Sequence, residues 1–278
     1  MMRILESRVS RRVLLALAIA AATLYSAFPF YWLFISSVTA PSQLFSGALF
    51  PSVLTLDSYV QLFSSSPILT WVGNSILVAV IVTSLTVIVA VLGAYSLAFF
   101  PTRFGQAAGK LILFTYMFPG VVVVIPAYTL LSRMGLVDNI VGLILVELVL
   151  TVPFCIWMLR SFFLQVPKEL LEAGRIDGAS RMRVLWSVLL PVARPGVIAI
   201  AVFAFIFSWN EYLFPLVLIN SDAGKTLPLG VAGFMGNLTV QWGPLLASGV
   251  VAVIPVLILF LFLQRHLVEG LMAGAVKG

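Results

Sequence analysis

The sequence predicts an all-α membrane protein with six transmembrane helices and both termini in the cytoplasm. Hydrophobic residues make up 62% of the 278 residues and charged residues only 9%, whereas globular domains carry roughly 25% charged residues. Apolar runs long enough to span a bilayer recur along the chain, and basic residues lie mainly in alternate segments between them. This pattern indicates a membrane protein and argues against a basic nucleic-acid-binding domain, because the basic residues do not form one patch.

Six apolar runs are the candidate membrane spans, since a helix rises about 1.5 Å per residue and needs about 20 apolar residues to cross the hydrocarbon core. They are Val13–Val38, Trp71–Phe100, Leu111–Leu131, Ile140–Leu159, Val197–Ile219 and Pro244–Leu263. The first run follows four arginines, as a secretory signal does, but it continues well beyond such a signal and contains the aromatic stretch Phe28–Trp32. We therefore expect it to be retained as the first span, 13–38, after a cytoplasmic segment 1–12.

The distribution of basic residues predicts the orientation. With the amino terminus inside, fourteen of the sixteen Lys and Arg residues fall on the cytoplasmic side, and only Arg133 and Lys225 fall outside. The opposite orientation would invert this ratio, so the positive-inside rule predicts both termini in the cytoplasm.

Two extracytoplasmic loops follow from this topology. The loop 39–70 carries Asp57 and no basic residue, and it is long enough to fold over the outer face. The loop from about Asn220 to Gly243 contains Gly230, Gly233 and Gly236. We expect these glycines to mark turns, and the alternative is a surface for a partner outside the membrane.

No catalytic or redox chemistry is predicted. The single cysteine, Cys155, excludes an intrachain disulfide, and the single histidine, His266, has no neighbouring ligands for a metal site. Gly224-Lys225-Thr226 resembles the end of a phosphate-binding loop, but Ile219 stands where that motif needs its first glycine. We therefore expect a chain that is not an enzyme and holds no cofactor or metal of its own.

The segment 167–191 is the longest polar interval on the predicted cytoplasmic side. Pro167 suits the first position of a helix, and Gly178 suits the left-handed residue just beyond its end. A second helix is predicted from the apolar spacing of Met182–Leu190, with Ser180 as its cap and Pro191 as its stop. On spacing alone, an amphipathic hairpin that anchors the bundle at the membrane surface is an equally good interpretation.

Small residues are placed along one face of the first of these helices. Leu170, Ala173, Gly174 and Asp177 are spaced by three and four residues, and Glu172 lies beside them. We expect this face to expose backbone where a partner approaches closely.

The same segment resembles the EAA loop of bacterial ATP-binding-cassette (ABC) importer permeases. The matching residues are Glu172-Ala173-Gly174, then three residues, Gly178, then nine residues, and Val188-Leu189-Leu190-Pro191. Gly174 replaces the family's second alanine and Val188 its isoleucine, so both positions stay small or β-branched. Gln264-Arg265, Gly270-Leu271 and the last five residues from Gly274 resemble the tail of maltose-permease-like second membrane subunits, which points to the carbohydrate branch of the family.

This resemblance implies a type I ABC importer permease fold and a set of partners. These are a homologous permease subunit, two cytoplasmic ATPase subunits that bind ATP and Mg, and an extracytoplasmic solute-binding protein. The resemblance places the five-helix core at 71–263 and the cytoplasmic tail at 264–278. It implies that the protein lies in the bacterial inner membrane. The residues implied in ATPase coupling are Glu172, Ala173, Gly174, Arg175, Asp177 and Gly178, and those in the tail contact are Gly270, Gly274 and Lys277.

Two acidic residues lie within predicted spans, where a charge costs roughly 2.5–3.5 kcal/mol at the helix centre. Asn210, Glu211 and Tyr212 form a polar cluster in the fifth span, which we interpret either as a lining of the solute path or as an interhelical contact to the partner subunit. We expect Glu147, near the outer end of the fourth span, to extend toward the surface.

The predicted function is the permease subunit of a sugar or sugar-like solute importer, driven by ATP that its partners hydrolyse. A polyol or glycerol-phosphate importer of the same branch is the nearest alternative. A stand-alone secondary transporter predicts two matching halves with broken helices, which the sequence does not clearly show. A membrane enzyme needs a convergent catalytic set, which two separated glutamates do not form.

Overall fold

The computed structural model describes residues 2–275 apart from 101, 177 and 237–238, and it describes side chains for residues 11–264 except at these and a few helical positions. The chain divides into two compact units. One consists of 1–67 and 234–253, and the other of 68–233 and 254–278.

The described residues are almost entirely helical. In chain order the helices are α1 (Met2–Ser37), α2 (Asp57–Ser65), α3 (Ile68–Phe99), α4 (Arg103–Tyr116), α5 (Gly120–Arg133), α6 (Ile140–Phe163), α7 (Lys168–Ile176), α8 (Arg181–Val192), α9 (Arg194–Asn210), α10 (Leu213–Leu218), α11 (Leu227–Ala232) and α12 (Trp242–Ala275). Single turns of 3₁₀ helix lie at Pro41–Gln43 and Asp222–Gly224. Two isolated β-bridges pair Thr39 with Leu54 and Met235 with Val240.

Within the described part of the chain, four helices are long and apolar enough to cross a membrane. They are Arg11–Ser37, Ile68–Phe99, Ile140–Phe163 and Trp242–Gln264. The bent pair α8 and α9, which meet at 82°, raises the number to five if it forms one span. The prediction of an all-helical membrane protein is therefore confirmed, whereas the number six stays a prediction.

Two of the predicted spans are interrupted. The third, Leu111–Leu131, divides into α4 and α5 at Met117–Pro119, because Pro119 has no N–H to continue the ladder of α4. The fifth, Val197–Ile219, ends its long helix at Asn210, where Glu211 takes an extended conformation with φ −67° and ψ 124°. Neither break could be predicted from the length of the apolar run alone.

The larger unit is built around α3, α6 and α9. The side chains of Ala90, Cys155, Leu159 and Ile200 are fully buried where these helices pack. Gly93 allows a close approach, since a Cβ there would lie 2.9 Å from Ile156 Cδ1. Apolar helices packed in this way hold the polar side chains of the candidate site in place.

The smaller unit contains α1, α2 and the first turns of α12. In the apolar 18-residue stretch of the α1 span Arg11–Ser37, no residue is buried. The loop after α1 is held by the bridge of Thr39 to Leu54 and by a 2.7 Å hydrogen bond from Thr55 N–H to the Val38 carbonyl. Ser37 and Tyr59 join α1 to α2 through hydroxyl groups 2.8 Å apart.

Candidate functional site

The segment 167–193, here called the helix–turn–helix segment, contains two helices joined by a tight turn. Helix α7 begins directly after Pro167 and ends at Ile176, and Gly178 has φ +76°, the left-handed conformation predicted for it. The Ser180 side chain accepts a hydrogen bond from Arg183 N–H at 3.3 Å, which confirms the predicted cap of α8. The predicted left-handed glycine after the first helix and the predicted serine cap of the second helix are therefore confirmed.

Helix α8 differs from the prediction at Pro191. The helix continues past this residue to Val192, and its middle turn, Leu185–Leu189, is a π-helix. The Leu190 N–H bonds the Leu185 carbonyl five residues back. Pro191 thus follows a wider turn inside the helix and does not end it, and the chain bends only at Ala193.

An apolar core holds the two helices against the larger unit. Leu171 of α7 is buried, and the side chains of Val184, Leu185 and Leu189 of α8 are at most 1% exposed. The Tyr95 hydroxyl of α3 donates to the Arg181 carbonyl at 3.0 Å, and the Arg181 guanidinium lies 4.7 Å from the centre of the Phe100 ring. The segment is therefore packed onto α3 and is not a free surface hairpin.

The coupling residues predicted from the sequence divide between two faces of α7. Glu172 and Ala173 are exposed. Gly174 points into the segment, where a Cβ would lie 3.4 Å from Val184 and 3.7 Å from Val188. Gly174 is half-buried, and these distances are ordinary van der Waals contacts, so the prediction that it lies at a contact with a partner stays a prediction.

Two further residues of the predicted coupling set are not fully described by the structure. Asp177 is outside the described residues, and the side chain of Arg175 is not described. Ile176 was not among the residues predicted for this face, yet its side chain is 86% exposed at the end of α7. The available signal was a large apolar residue two positions before the helix-ending glycine.

The predicted tail residues continue a helix. Helix α12 extends through Gly270 and Gly274 to Ala275, whereas Lys277 lies outside the described residues.

The predicted solute-path cluster lies at the break between α9 and α10. Glu211 Oε1 accepts hydrogen bonds from Leu213 N–H at 2.8 Å and Phe214 N–H at 3.1 Å, and it thereby satisfies the first amides of α10. Asn210 donates to the Ile206 carbonyl at 2.7 Å, and Tyr212 is 40% exposed. Asn210 and Glu211 line an open groove of about 420 Å³ together with Phe203, Ile206 and Phe207.

Glu147 contradicts the prediction that it extends to the surface. Its side chain is 1% exposed in α6, and its Oε2 accepts a short hydrogen bond from the Ser208 hydroxyl of α9. One turn further along α6, Thr151 Oγ1 donates to the Glu147 carbonyl and contacts Thr86 Oγ1 of α3 at 2.8 Å. These polar groups join α3, α6 and α9 inside the apolar core, where a hydrogen bond finds no competition from water.

Asp138 organises a second polar site that the sequence analysis did not single out. Its Oδ1 accepts hydrogen bonds from the N–H groups of Asn220 and Ser221 and from the Ser221 hydroxyl, each 2.9 Å long. The Ser221 N–H first, then the Asn220 N–H and the Ser221 hydroxyl, hold the pKa of this carboxyl below its ordinary value of 3.8. We call residues 135–139 and 218–227 the Asp138 corner.

Two side chains of α3 complete the Asp138 corner. Asn74 donates to the carbonyls of Ala223 and Lys225 at 2.8 and 2.9 Å, and Ser75 accepts from Leu227 N–H at 2.8 Å. Asp138 itself has φ +56°, a left-handed conformation that Asp tolerates better than most residues. The only indication of this corner in the sequence was an aspartate three residues after Gly135.

The predicted glycine turns of the following loop are partly wrong. Gly230 lies inside α11, where a Cβ would come within 2.2 Å of the Trp71 ring, so this glycine permits close packing. Gly233 follows the last residue of α11, as a turn residue does.

Comparison with known proteins identifies the family. Residues 87–272 match the family model described as binding-protein-dependent transport system inner membrane component. The trehalose/maltose transport system permease protein MalG of Thermococcus litoralis is 31% identical over 99% of this chain and 100% of its own length. The sulfoquinovosyl glycerol transport system permease protein SmoH of Agrobacterium fabrum is 34% identical over 90% of this chain and 89% of its own length.

A solved structure supports the same fold. A chain in the crystal structure of a bacterial ABC transporter involved in the import of the acidic polysaccharide alginate superimposes with a TM-score of 0.78. The match covers 91% of this chain and 95% of the other, at 24% sequence identity. With the family match over two thirds of the chain, the conclusion is that this protein belongs to the binding-protein-dependent transport system inner membrane components and is a multi-pass inner-membrane transport protein.

Proposed function

We propose that this chain is one of two homologous permease subunits of an ABC importer that carries a sugar or sugar-like solute into the cell. The observation that carries the proposal is the family match, because it covers both the helix–turn–helix segment and the core helices. The relatives of similar length are permeases for saccharides or a sugar glycoside by their names. These names favour a sugar over a polyol or glycerol phosphate, and family membership argues against a stand-alone secondary transporter.

In this proposal the helix–turn–helix segment is the contact to the ATPase subunits, which bind ATP and Mg and hydrolyse the nucleotide. Glu172, Ala173 and the 86% exposed Ile176 form the outward face of α7, and Gly178 ends the helix so that this face projects. Arg175 and Asp177 are candidate polar partners at the same contact. Gly174 belongs to the same predicted contact and is half-buried beside Val184 of α8.

The packing of this segment explains how displacement is transmitted. The buried side chains of Leu171, Leu185 and Leu189 connect the exposed face of α7 to α3, α6 and α9 without space for slack. An ATPase subunit that binds this face differently in two states of the transporter would shift the equilibrium of the core helices.

The topology of the proposed importer has six spans and both termini in the cytoplasm. We assign the third span to α4 and α5 together and the fifth to α9 with α10, since each broken pair has the combined apolar length of one span. The solute path passes Asn210, Glu211 and Tyr212, and the tail residues Gly270, Gly274 and Lys277 reach the ATPase subunits. A solute-binding protein delivers the solute at the outer face.

The test is ATP-driven uptake of labelled maltose into vesicles that contain this chain, its partner permease, the ATPase subunits and the binding protein. Ala173→Arg places a long charged side chain on the exposed face of α7 without disturbing the buried core. We expect this variant to lose uptake and to lose the ATPase subunits during purification of the complex. Ala107→Arg is the matched control, because Ala107 is an equally exposed alanine in α4 on the same predicted side.

Two results would contradict the proposal in different ways. Uptake by this chain without the other components would exclude an importer subunit. Full uptake and normal copurification in Ala173→Arg would leave the importer in place but remove α7 as the coupling contact.

A further inference from the structure

A small pocket in the unit that contains 1–67 and 234–253 is lined by both aromatic and polar side chains. It has a volume of about 280 Å³ and is bounded by the loop after α1, by α2 and by the start of α12. The side chains that matter for binding are Phe45, Asp57, Ser58, Gln61, Gln241 and Trp242. None of these residues belongs to the family's coupling segment or to the predicted solute path.

The walls of the pocket are formed by the fold itself. The Gln241 N–H bonds the Phe234 carbonyl at 2.9 Å, and Ala40 N–H bonds the Val53 carbonyl at 3.3 Å. At its base Ser58 is 3% exposed, and a Cβ on Gly243 would lie 3.0 Å from Ser58 Oγ. These contacts fix the positions of the lining residues, and a rigid site lowers the entropic cost of binding.

The aromatic side of the pocket offers two rings at its mouth. The Phe45 and Trp242 rings pack edge to face with centroids 5.4 Å apart, yet their side chains remain 74% and 44% exposed. Because the two rings are nearly perpendicular, with an interplanar angle of 84°, one ring can lie flat against the apolar face of a ligand while the other meets its edge.

The polar side has unused hydrogen-bonding capacity. Among the described residues, the side chains of Asp57, Gln61 and Gln241 form no hydrogen bond within the chain. The two amides each carry donors and an acceptor, and the carboxylate carries acceptors only. Together they match a ligand whose hydroxyl groups both donate and accept.

The charge and the size narrow the ligand class. Asp57 is the only charged residue of the lining, so an anionic ligand is disfavoured. A purely cationic ligand would leave the amide donors without acceptors. At about 280 Å³ the pocket lies just below the roughly 300–1,000 Å³ of sites for drug-sized ligands, which suits one sugar ring better than an oligosaccharide.

We propose that this pocket is a binding subsite for a single neutral pyranose ring, with Trp242 against the ring face, Phe45 at the ring edge, and Asp57, Gln61 and Gln241 bonded to its hydroxyls. Such a subsite is separate from the groove at Asn210 and Glu211. It belongs to the chain whether or not the transported solute is a sugar, so its test measures binding and not transport.

The experiment is saturation-transfer NMR on the assembled complex in lipid nanodiscs, with methyl α-D-glucopyranoside as the probe and glucuronate and choline as charged comparisons. We expect transfer to the protons of the neutral ring only. Trp242→Ala and Gln61→Ala are each expected to weaken binding about fivefold, the loss that corresponds to about 1 kcal/mol. Trp242→Phe should restore most of the signal.

The control variant is Phe50→Ala, because Phe50 is 80% exposed on the same loop but does not line the pocket. Tryptophan also occurs at the ends of spans as an interfacial anchor. Unchanged glucoside binding in both Trp242→Ala and Gln61→Ala would assign Trp242 to that role and overturn the proposal. Preferential binding of choline or glucuronate would overturn the assigned ligand class.

Discussion

The Asp138 corner and the helix–turn–helix segment are held together by different forces. In the Asp138 corner, side chains bind backbone groups: one carboxylate oxygen accepts three hydrogen bonds, and Asn74 donates two. In the helix–turn–helix segment, the side chains of Leu185 and Leu189 are fully buried, and Val184 beside them is 1% exposed.

The difference teaches how each region responds to change. Hydrogen bonds at an exposed corner depend on single atoms and on protonation, and water replaces them at little cost. Apolar packing depends on volume and shape and is insensitive to pH. Close apolar packing also resists the displacement of one helix against another, because displaced side chains push on their neighbours. The hydrogen bonds of the Asp138 corner connect separate backbone segments through single contacts.

The largest expected effect is in the helix–turn–helix segment. Leu185→Ala removes a fully buried side chain and should lower the free energy of unfolding by about 2–5 kcal/mol, the usual cost of such a cavity. Thermal unfolding of the purified protein in detergent measures this loss. Trp186→Ala is the matched control, since the neighbouring Trp186 is 60% exposed. An equal loss in both variants would show that burial does not determine the stability of this segment.

The next effect is local and depends on pH. Asp138→Asn should speed hydrogen exchange at the Asn220 and Ser221 amides, because a neutral oxygen accepts their hydrogen bonds less strongly than a carboxylate. The pKa of Asp138 is lowered in the folded protein, so its stabilising contribution is complete above its ordinary value of 3.8 and is lost as the pH falls through the folded value.

Exchange at these two amides, corrected for the intrinsic pH dependence, should therefore rise in the native protein only at acidic pH. In Asp138→Asn that rise should be absent. A rise of the same size in the variant would mean that another group titrates and that Asp138 does not hold the corner.

A smaller effect is expected at the side-chain cap of α8. Ser180→Ala removes the acceptor for Arg183 N–H and should cost about 1 kcal/mol or less, because the bond is long at 3.3 Å and exposed. Ser180→Asp, which retains a cap oxygen, should be close to the native protein. Denaturant unfolding separates the two, and equal stability of Ala and Asp at this position would remove the cap from the account.

The smallest effect is expected at the surface ion pair of the Asp138 corner. Lys225 and Asp222 lie 2.5 Å apart, but the Asp222 side chain is 79% exposed. Exposed pairs contribute about 0–1 kcal/mol, so Lys225→Met should leave the unfolding transition nearly unchanged. A shift as large as that of Leu185→Ala would show that the corner depends on charge more than on its backbone hydrogen bonds.

The sequence predicted the local features that follow from one residue's own chemistry. Gly178 was placed in a left-handed conformation and Ser180 at a cap, because glycine lacks a Cβ and serine carries an oxygen close to its backbone. The apolar runs at α3 and α6 were recognised because burial in lipid imposes composition over a whole helix. The EAA resemblance located the helix–turn–helix segment, because the motif is a spacing of residues close together in the sequence.

Only the tertiary structure decided which residue each side chain meets. Gly174 faces Val184, Gly230 faces Trp71, and Glu147 faces Ser208, and in each case the partner is distant in sequence or across a turn. A glycine suited to a turn is equally suited to a close helix contact, and a glutamate in a span can point to water or to a buried hydroxyl. The sequence determined an all-helical membrane protein and the position of its helix–turn–helix segment, whereas packing among α3, α6, α8 and α9 determined where its small and polar residues point, because that choice depends on atoms that lie close only after the chain has folded.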